Sequence, residues 1–367
     1  MIYFVTPGSG AFTIAEYISG DRPEMARRFQ TLLYEDLPRR NSFGRGTYVL
    51  AGLERLSPDM ERLVEQLYDQ LSAAEGIRIL NDPRRTLRRY DLLAALHRSG
   101  RNPFKAVRAA ENLSGLTYPV FLREEIAHGG NCSPLLDSHR QLQEAIGLAL
   151  VQGRPLEQLL VVEFCSTADA EGIYRKYAAF KVGRHIMGRA LYHGRHWMLK
   201  FSRAEYTQAF VLEEQDYVVR NPHAERLAEI FELARVDYGQ IDYSVKDGRI
   251  HTWEVNLNPT IGRSVDDSGG PGPVELHPLR TATREHFFDR FREAWDEVEL
   301  PSGSEPPLSV TFDREILAAA AQSTRKGGIG EKIRSILRPL KPLLAPVSKP
   351  FLRLLAIGAR AARRPRD

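Results

Sequence analysis

The stretch IDYSVKDGRIHTWEVNLNPTIG, residues 241–262, decides the fold, because it predicts a β-hairpin that carries polar groups on an apolar frame. Its first strand holds one acid, Asp242, and its second strand holds Glu254 and Asn256. Successive side chains of a strand point to opposite faces, so Glu254, Asn256 and Asn258 share one face. The hairpin therefore places polar groups where a plain core would have valine or isoleucine.

The length of the turn decides whether Asp242 joins this face. A two-residue turn at residues 247–248 would send the Asp242 carboxylate to the other side of the hairpin. A three-residue loop at residues 246–248, with its glycine left-handed in a bulge, would pair Asp242 with Thr252 and bring all the polar groups together. We expect the three-residue loop.

Oxygen ligands without histidine or cysteine favour Mg²⁺ or Mn²⁺. Diagonal neighbours across such a hairpin lie roughly 7–8 Å apart at Cα, a span that two carboxylates can close upon a metal. The pattern predicts a metal site formed by Asp242, Glu254 and Asn256. The alternative is a solvent-facing strand with ordinary polar residues, because acids at this spacing are common on exposed strands.

The composition indicates a globular body with a basic appendage. A length of 367 residues favours more than one domain, and 43% hydrophobic with 27% charged residues excludes fibres, wholesale disorder and a multi-span membrane protein. The net charge is +4, but residues 325–367 hold 12 Lys and Arg against 2 Asp and Glu, which leaves the body mildly acidic. No nucleic-acid partner is expected for the body.

Cysteine content and the N-terminal residues bear on the compartment. Cys132 and Cys165 are too few for a disulfide framework, so we expect a reducing cytoplasm, with one disulfide as the alternative. The start, MIYFVTPGSG, has no basic flank and only a short apolar run, so it predicts a first strand rather than a signal peptide. No run of about 18 apolar residues occurs, and no bilayer span is expected.

The chain changes character near residue 86. Before it, strand and helix patterns alternate, including expected helices at Pro23–Leu37 and Pro58–Ala74, which predicts a small parallel sheet. After it, strands, glycine loops and hairpins follow one another. We expect a mixed α/β and α+β fold with an α/β domain at 1–85, a two-lobed domain with antiparallel sheets at 86–300, a linker and short helix at 301–324, and a basic tail at 325–367.

Five segments in this order resemble the ATP-grasp family, with its glutathione-synthetase-type ATP-binding fold. The hairpin acids, Asp242 and Glu254-Val-Asn256, are similar to the metal-binding end of that family. Four upstream segments are similar to its entry strand, entry helix, strand with glycine loop, and adenine hinge: ILNDP (79–83), RRYDLLAAL (88–96), YPVFLREEIAHGG (118–130) and LLVVEF (159–164). The resemblance covers roughly residues 78–263, and residues before it match the small α/β domain that precedes the fold.

The resemblance implies ATP and Mg²⁺, or Mn²⁺, as cofactors. The hairpin set would then hold the metal ions that bridge the β- and γ-phosphates. Glu163 and Phe164 would sit at the adenine hinge, although Glu163 read alone is a strand-end surface acid. Asp169 or Glu171 would take the ribose hydroxyl groups.

The family has lysine in the entry helix and before the glycine loop, where this chain has Arg89 and Arg123. A guanidinium keeps the positive charge and binds phosphate through two N–H groups. The alternative for Arg89 is simple helix solubility. His128, Gly129 and Gly130 would form the flexible loop over the phosphates, since only glycine lets backbone N–H groups approach closely.

Further cations follow in the next strands. Arg175 and Tyr177 share a strand face, and in the family an arginine on this strand helps to hold the transferring phosphate or acyl-phosphate. The alternative for Arg175 is an exposed strand cation. Lys200 is a further phosphate candidate, and Asn258 and Arg263 are candidates for facing the acceptor.

The basic tail has apolar residues at helical spacing from Ile329, separated by lysine and arginine. Four prolines, the first at Pro339, break any single helix into short amphipathic segments. Such segments fit an anionic membrane surface, at about 1 kcal/mol for each basic residue that reaches it. A disordered, solvated tail is the equal alternative, and a nucleic-acid tail ranks third.

The resemblance therefore implies an ATP-dependent, Mg²⁺-requiring ligase that joins a carboxylate to an amine, or a thiol, through an acyl-phosphate. Its partners would be ATP, the carboxylate and the acceptor, in the cytoplasm or peripherally at the inner face of the membrane. The alternative is a catalytically inactive nucleotide-binding module associated with the membrane surface, which arginine at both expected lysine positions motivates.

Overall fold

The computed structural model describes residues 1–126, 130–262, 272–301 and 305–324. Its first part is a four-stranded sheet of order β2-β1-β4-β5 in which every neighbouring pair is parallel. The small parallel sheet expected here is confirmed. The elements are β1 (Ile2–Thr6), α1 (Phe12–Glu16), β2 (Phe29–Leu33), β3 (Ser42–Phe43), β4 (Gly46–Leu50), α2 (Pro58–Ser72) and β5 (Ile77–Leu80).

Helix α2 forms where the sequence predicts it. Ser57 caps its first turn by accepting a hydrogen bond from the Met60 N–H. Its apolar residues recur every three or four positions and bury one face, which includes Leu63, Leu67 and Leu71.

The expected helix at Pro23–Leu37 is wrong. Short 3₁₀ turns at Pro23–Arg28 and Tyr34–Arg39 flank strand β2, which pairs with the edge of β1. Phe29 of this strand packs edge-on against Trp295, with ring centres 5.2 Å apart. Contacts with a distant part of the chain therefore outweigh the local helical spacing.

The second part is a three-stranded antiparallel sheet of order β6-β8-β7. It has a small core of its own with the helix that covers it, formed by Val120, Leu122, Leu142, Leu159 and Val161 among others. The elements are α3 (Arg89–Arg98), β6 (Ala106–Arg108), β7 (Val120–Glu124), α4 (His139–Val151) and β8 (Leu159–Glu163).

The third part is a larger antiparallel sheet of order β10-β9-β11-β12. Its core continues into that of the N-terminal sheet through aromatic residues such as Phe180, Tyr238 and Trp295. The elements are β9 (Tyr174–Val182), β10 (His185–Gly194), α5 (Gln208–Arg220), α6 (Ala224–Ala234), β11 (Tyr238–Lys246), β12 (Arg249–Asn256), α7 (His277–Val298) and β13 (Leu308–Ser309), which pairs with β3.

The turn of the β11–β12 hairpin has two residues, so the expected three-residue loop is wrong. Lys246 pairs with Arg249. Asp247 and Gly248 between them have φ of 50° and 71°. Left-handed φ at both central positions matches the right-handed twist of the flanking strands, which is why Asp-Gly favours this short turn.

A β-bulge restores the alignment that the short turn would have lost. Tyr243 pairs with Thr252, but its neighbour Asp242 pairs with Glu254, so Trp253 is the extra residue. Asp242 and Glu254 are therefore direct cross-strand partners. The shared face was predicted correctly, and the feature that produces it was not.

A parallel sheet followed by two antiparallel sheets confirms the expected fold class, and it is the arrangement that the resemblance to the ATP-grasp family implies. Residues 314–324 are helical. Within the described ranges, no helix is both long and apolar enough to cross a bilayer. The domain boundaries after residues 85 and 300 stay a prediction, and the tail at 325–367 lies outside the described residues.

Candidate active site

A cavity of ≈ 600 Å³ lies between the two antiparallel sheets, a volume typical of small-molecule sites. Phe121 and Phe164 of the three-stranded sheet line one side. Lys176, Asp242 and Glu254 of the larger sheet line the other side. The polar face of the hairpin is thus a cavity wall and not a solvent-facing strand.

Asp242 is buried and is held by two side chains from its own sheet. Lys176 Nζ donates to Asp242 Oδ2 at 2.8 Å, and Gln240 Nε2 donates to Oδ1, also at 2.8 Å. Burial acts to lower the pKa of Lys176, but the Asp242 carboxylate outweighs it and the pKa is raised. The ammonium therefore stays charged at neutral pH.

Glu254 joins the two arginines that were predicted to bind phosphate. Arg123 Nη2 donates to Glu254 Oε2 at 2.7 Å, and Arg89 Nη2 donates to the same oxygen. Burial lowers the pKa of Arg123, although the charge of Glu254 opposes this effect. The structure thus brings both predicted phosphate-binding arginines onto a predicted metal ligand.

Arg89 is positioned by its place in the first turn of α3. Its guanidinium also donates to the main-chain carbonyl oxygens of Glu124, at 2.9 Å, and Glu125. It is 5% exposed, so helix solubility does not explain this residue.

The hairpin oxygens fit a divalent cation by their chemistry. Asp242 and Glu254 face each other, and Asn256 lies two residues further along the same face. Asn256 Oδ1 accepts a hydrogen bond from the Asn258 N–H at 2.9 Å. This set consists of two carboxylates and one amide. The described residues contain no group of three or more His, Cys, Asp or Glu arranged to hold a metal, and the hairpin set has only two such residues.

Glu163, at the predicted adenine hinge, has a structural use. Its carboxylate accepts hydrogen bonds from the N–H groups of Lys105 at 2.8 Å and Thr117 at 2.7 Å. The residue is 5% exposed. Phe164 lines the cavity and packs edge-on against Trp197, with ring centres 5.6 Å apart. The adenine-hinge role of both residues stays a prediction.

Arg175 lines the cavity at the start of β9 and is fixed by two acids. It donates to Asp169, and its Nε donates to Glu213 Oε1 at 2.8 Å. Burial acts to lower the pKa of Arg175, but these two carboxylates raise it overall. Glu213 in turn lies 3.0 Å from His193 Nε2.

The ribose candidates lie at the turn before β9. Asp169 accepts hydrogen bonds from the N–H groups of Glu171 and Ile173 and pairs with Arg175. Its side chain therefore organises the turn in this structure. A ribose role for Asp169 or Glu171 stays a prediction.

Gly130 and Lys200 meet at the cavity edge. Gly130 has φ of 105°, a backbone conformation that favours glycine. A Cβ atom there would overlap the Lys200 ammonium unless that side chain moved. Both residues line the cavity. His128 and Gly129, the rest of the predicted phosphate loop, lie outside the described residues.

Asn258 ties the site to the N-terminal domain. It donates to Thr6 Oγ1 at 2.9 Å and accepts from Thr13 Oγ1 at 2.6 Å, and it is buried. The hairpin end is thereby anchored to the parallel sheet. Arg263, the other acceptor candidate, lies outside the described residues.

The two cysteines are free. Cys165 lines the cavity, with Sγ 3.6 Å from His251 Nδ1. Burial raises the pKa of the Cys132 thiol and of the Cys165 thiol. A raised pKa keeps a thiol protonated and poorly nucleophilic.

Sequence reasoning missed Lys176, Gln240 and Arg189, all of which line the cavity. Lys176 could have been found, because β9 lies beside β11 and alternation places Lys176 and Ala178 on the face opposite to Arg175. Arg189 had no such signal, since a β-bulge interrupts the alternation of β10 at that point.

Comparisons with known proteins give the following results. No family model matches the sequence, and no curated protein matches it. The chain is similar to D-alanine–D-alanine ligase from Bacillus anthracis complexed with ATP, at 12% identity and a TM-score of 0.44, covering 81% of this chain and 99% of that chain. The D-alanine-D-alanine ligase from Coxiella burnetii gives 10% identity, a TM-score of 0.44, and coverage of 81% and 97%. An L-amino acid ligase from Bacillus licheniformis gives 10% identity, a TM-score of 0.36, and coverage of 70% and 66%.

Proposed function

We propose that this chain is an ATP-dependent, Mg²⁺-requiring ligase that joins a carboxylate to an amine, or a thiol, through an acyl-phosphate. The observation that supports this most is the cross-strand pair of Asp242 and Glu254, held by Lys176, Arg89 and Arg123 on one wall of the cavity. Three cations around two carboxylates leave an excess of positive charge, which suits the phosphates of a nucleotide.

The adenine of ATP would occupy the side of the cavity formed by the three-stranded sheet. Phe121, Phe164 and Trp197 line that side and pack against one another. Aromatic side chains offer the large apolar surface that a purine base stacks on. The triphosphate would then extend toward the cations of the larger sheet.

Asp242, Glu254 and Asn256 are the residues that would hold Mg²⁺. When bound, the metal neutralises charge on the β- and γ-phosphates. In the structure the two carboxylates are paired with Lys176, Arg89 and Arg123, whose cations are equally suited to phosphate. We propose that these cations move from the carboxylates to the phosphates when nucleotide and metal bind.

The proposed reaction has two displacements. A substrate carboxylate oxygen bonds to the γ-phosphorus as the bond from that phosphorus to the ADP oxygen breaks. The amine then bonds to the acyl carbon, the bond from carbon to the phosphate oxygen breaks, and the amine loses a proton. Lys176 would hold the transferring phosphoryl group in line, because a fixed cation needs no reorganisation as charge moves. Arg175 lies on the opposite face of β9, so the phosphate role that the resemblance implies for it is not part of this proposal.

A second candidate function is nucleotide binding without ligation. The pairing of Arg89 and Arg123 with Glu254 favours it, because two guanidinium groups compete with a metal for that carboxylate. Both functions are proposed for the cytoplasm, with peripheral membrane association if residues 325–367 dock on an anionic surface.

Acceptor-dependent release of ADP separates the two functions. The full chain would be incubated with ATP, Mg²⁺ and pairs of carboxylates and amines, and ADP would be measured by a coupled assay. Release of ADP only when both substrates are present supports the ligase. Tight ATP binding without ADP release across the panel would favour the nucleotide-binding module.

A further inference from the structure

Arg189 lies on a β-bulge at the far edge of the larger sheet. Gly188 pairs with Ala179 and Ala190 pairs with Ala178, so Arg189 is the extra residue of β10. A bulge of this kind re-aims one side chain and is frequent beside binding sites. Here the re-aimed side chain lines the cavity.

The guanidinium of Arg189 is stacked but has little hydrogen bonding. It lies 4.7 Å from the centre of the Phe287 ring and 6.0 Å from that of Phe288. One Nη2 hydrogen bond goes to the Ile261 carbonyl oxygen at 3.1 Å. Among the described residues no carboxylate oxygen lies within 4 Å of it.

The other arginines that line the cavity differ from Arg189 in this respect. Arg123 pairs with Glu254, and Arg175 pairs with Asp169 and Glu213. Burial lowers the pKa of Arg189, and Tyr192, Glu214 and Asp21 oppose this effect without forming an ion pair with it. A desolvated cation without a paired anion is costly unless a ligand supplies the anion.

The position of Arg189 separates it from the phosphate end. Strand β9 lies between β10 and β11, so Arg189 is two strand spacings, roughly 10 Å, from the strand of Asp242. Arg89 and Arg123, the predicted phosphate cations, pair with Glu254 on β12, so Arg189 lies on the other side of the Asp242 strand from them. An anion bound by Arg189 is therefore placed to belong to the substrate and not to the nucleotide.

We propose that Arg189 binds a carboxylate of the substrate that does not itself react, so that one of the two molecules joined carries a free carboxylate at its distal end. Phe287 and Phe288 pack against the guanidinium, and a guanidinium has paired N–H groups that match the two oxygens of a carboxylate. This inference rests on the proposed function and names a substrate class for it.

The test uses the full chain with Mg²⁺ and a non-hydrolysable ATP analogue present. Binding of acetate, glutarate, glycine and alanine would be measured by ligand-observed NMR against acetamide, glutaramide, glycinamide and alaninamide. We expect at least one carboxylate to bind about 10-fold or more tightly than its amide, the size of one charge-assisted hydrogen-bonded pair. Arg189→Met should abolish this preference, and Arg189→Lys should retain part of it.

A matched control is Arg184→Met, which removes an exposed arginine from the turn of the same hairpin. It should leave the preference unchanged. The inference is overturned if no carboxylate of the panel binds better than its amide, if the preference survives in Arg189→Met, or if inorganic phosphate displaces the carboxylates through Arg189.

The outcome is separable from that of the proposed function. The ATP analogue is titrated into the same variants, and Arg189→Met should bind it as the wild type does, which also shows that the variant is folded. If the wild type does not bind the ATP analogue, the ligase proposal is contradicted, even if the wild type prefers carboxylates to amides.

Discussion

Glu163 and Glu254 are acids at the ends of strands in the two sheets that face each other across the cavity, yet their carboxylates have different partners. Glu163 accepts hydrogen bonds from the main-chain N–H groups of Lys105 and Thr117. Glu254 accepts hydrogen bonds from the side chains of Arg89 and Arg123, and it lines the cavity. An acid that satisfies backbone groups maintains the fold, whereas an acid held by side-chain cations can exchange them for a ligand.

The largest expected effect is a loss of activity when Asp242, the cross-strand partner of Glu254, is changed. Asp242→Asn removes the charge that faces Glu254 and pairs with Lys176, so we expect the rate of acceptor-dependent ADP release to fall about 10³-fold, as for loss of a preorganised charge. Initial rates at saturating ATP measure it. Asp247→Asn, at the tip of the same hairpin, is the control and should keep the wild-type rate. Equal losses of rate in both variants would contradict a specific role for Asp242.

The second effect is a loss of protein stability when Glu163 is replaced. Glu163→Ala leaves two partly buried N–H groups without their acceptor, so the free energy of unfolding should fall by about 1–2 kcal/mol. Urea denaturation measures it, and the remaining folded protein should bind the ATP analogue normally. Glu171→Ala, an exposed acid nearby, should change stability by less than about 0.5 kcal/mol. A nucleotide-binding defect in Glu163→Ala without loss of stability would instead support the hinge role.

The smallest effect is a pH dependence at Glu213, which supports Arg175. Burial acts to raise the pKa of Glu213, but hydrogen bonds from His193 and Arg175 lower it overall from the ordinary 4.5. A lowered pKa in the folded state gives stability above the unfolded value, and that stability is lost as pH falls through the folded value. Between neutral pH and the region below pH 4.5, the wild type should therefore lose stability relative to Glu213→Gln. Because Glu213 is 38% exposed, the difference should stay below about 1 kcal/mol; parallel pH curves for the two proteins would contradict the pairing.

The sequence allowed much of the fold to be predicted, because period and spacing are local properties. The parallel sheet and helix α2 follow from their own residues. A shared face for Asp242 and Glu254 was also predicted, although through a three-residue loop and with Asp242 opposite Thr252 rather than Glu254. The actual combination of a two-residue turn and a bulge at Trp253 depends on pairing across the hairpin, which local spacing does not encode.

The rest of the site could not be predicted because it depends on contacts between distant segments. Glu163 has the same strand-end pattern as a hinge acid, and only the folded chain brings the N–H groups of Lys105 and Thr117 to it. Lys176 gains its role from the neighbouring strand, and Arg189 from a bulge. Residues 23–37 read as a helix because Phe29 and Leu32 have helical spacing, whereas the edge of β1 accepts them as a strand.

The most direct test of the account is a calorimetric titration of a non-hydrolysable ATP analogue, with and without Mg²⁺, into the wild type and Glu254→Gln. We expect the wild type to bind the analogue more tightly with Mg²⁺, and the substitution to remove this dependence, because Glu254 would lose its charge as a metal ligand. No binding to the wild type under either condition, or a Mg²⁺ dependence that is unchanged in Glu254→Gln, would contradict this expectation.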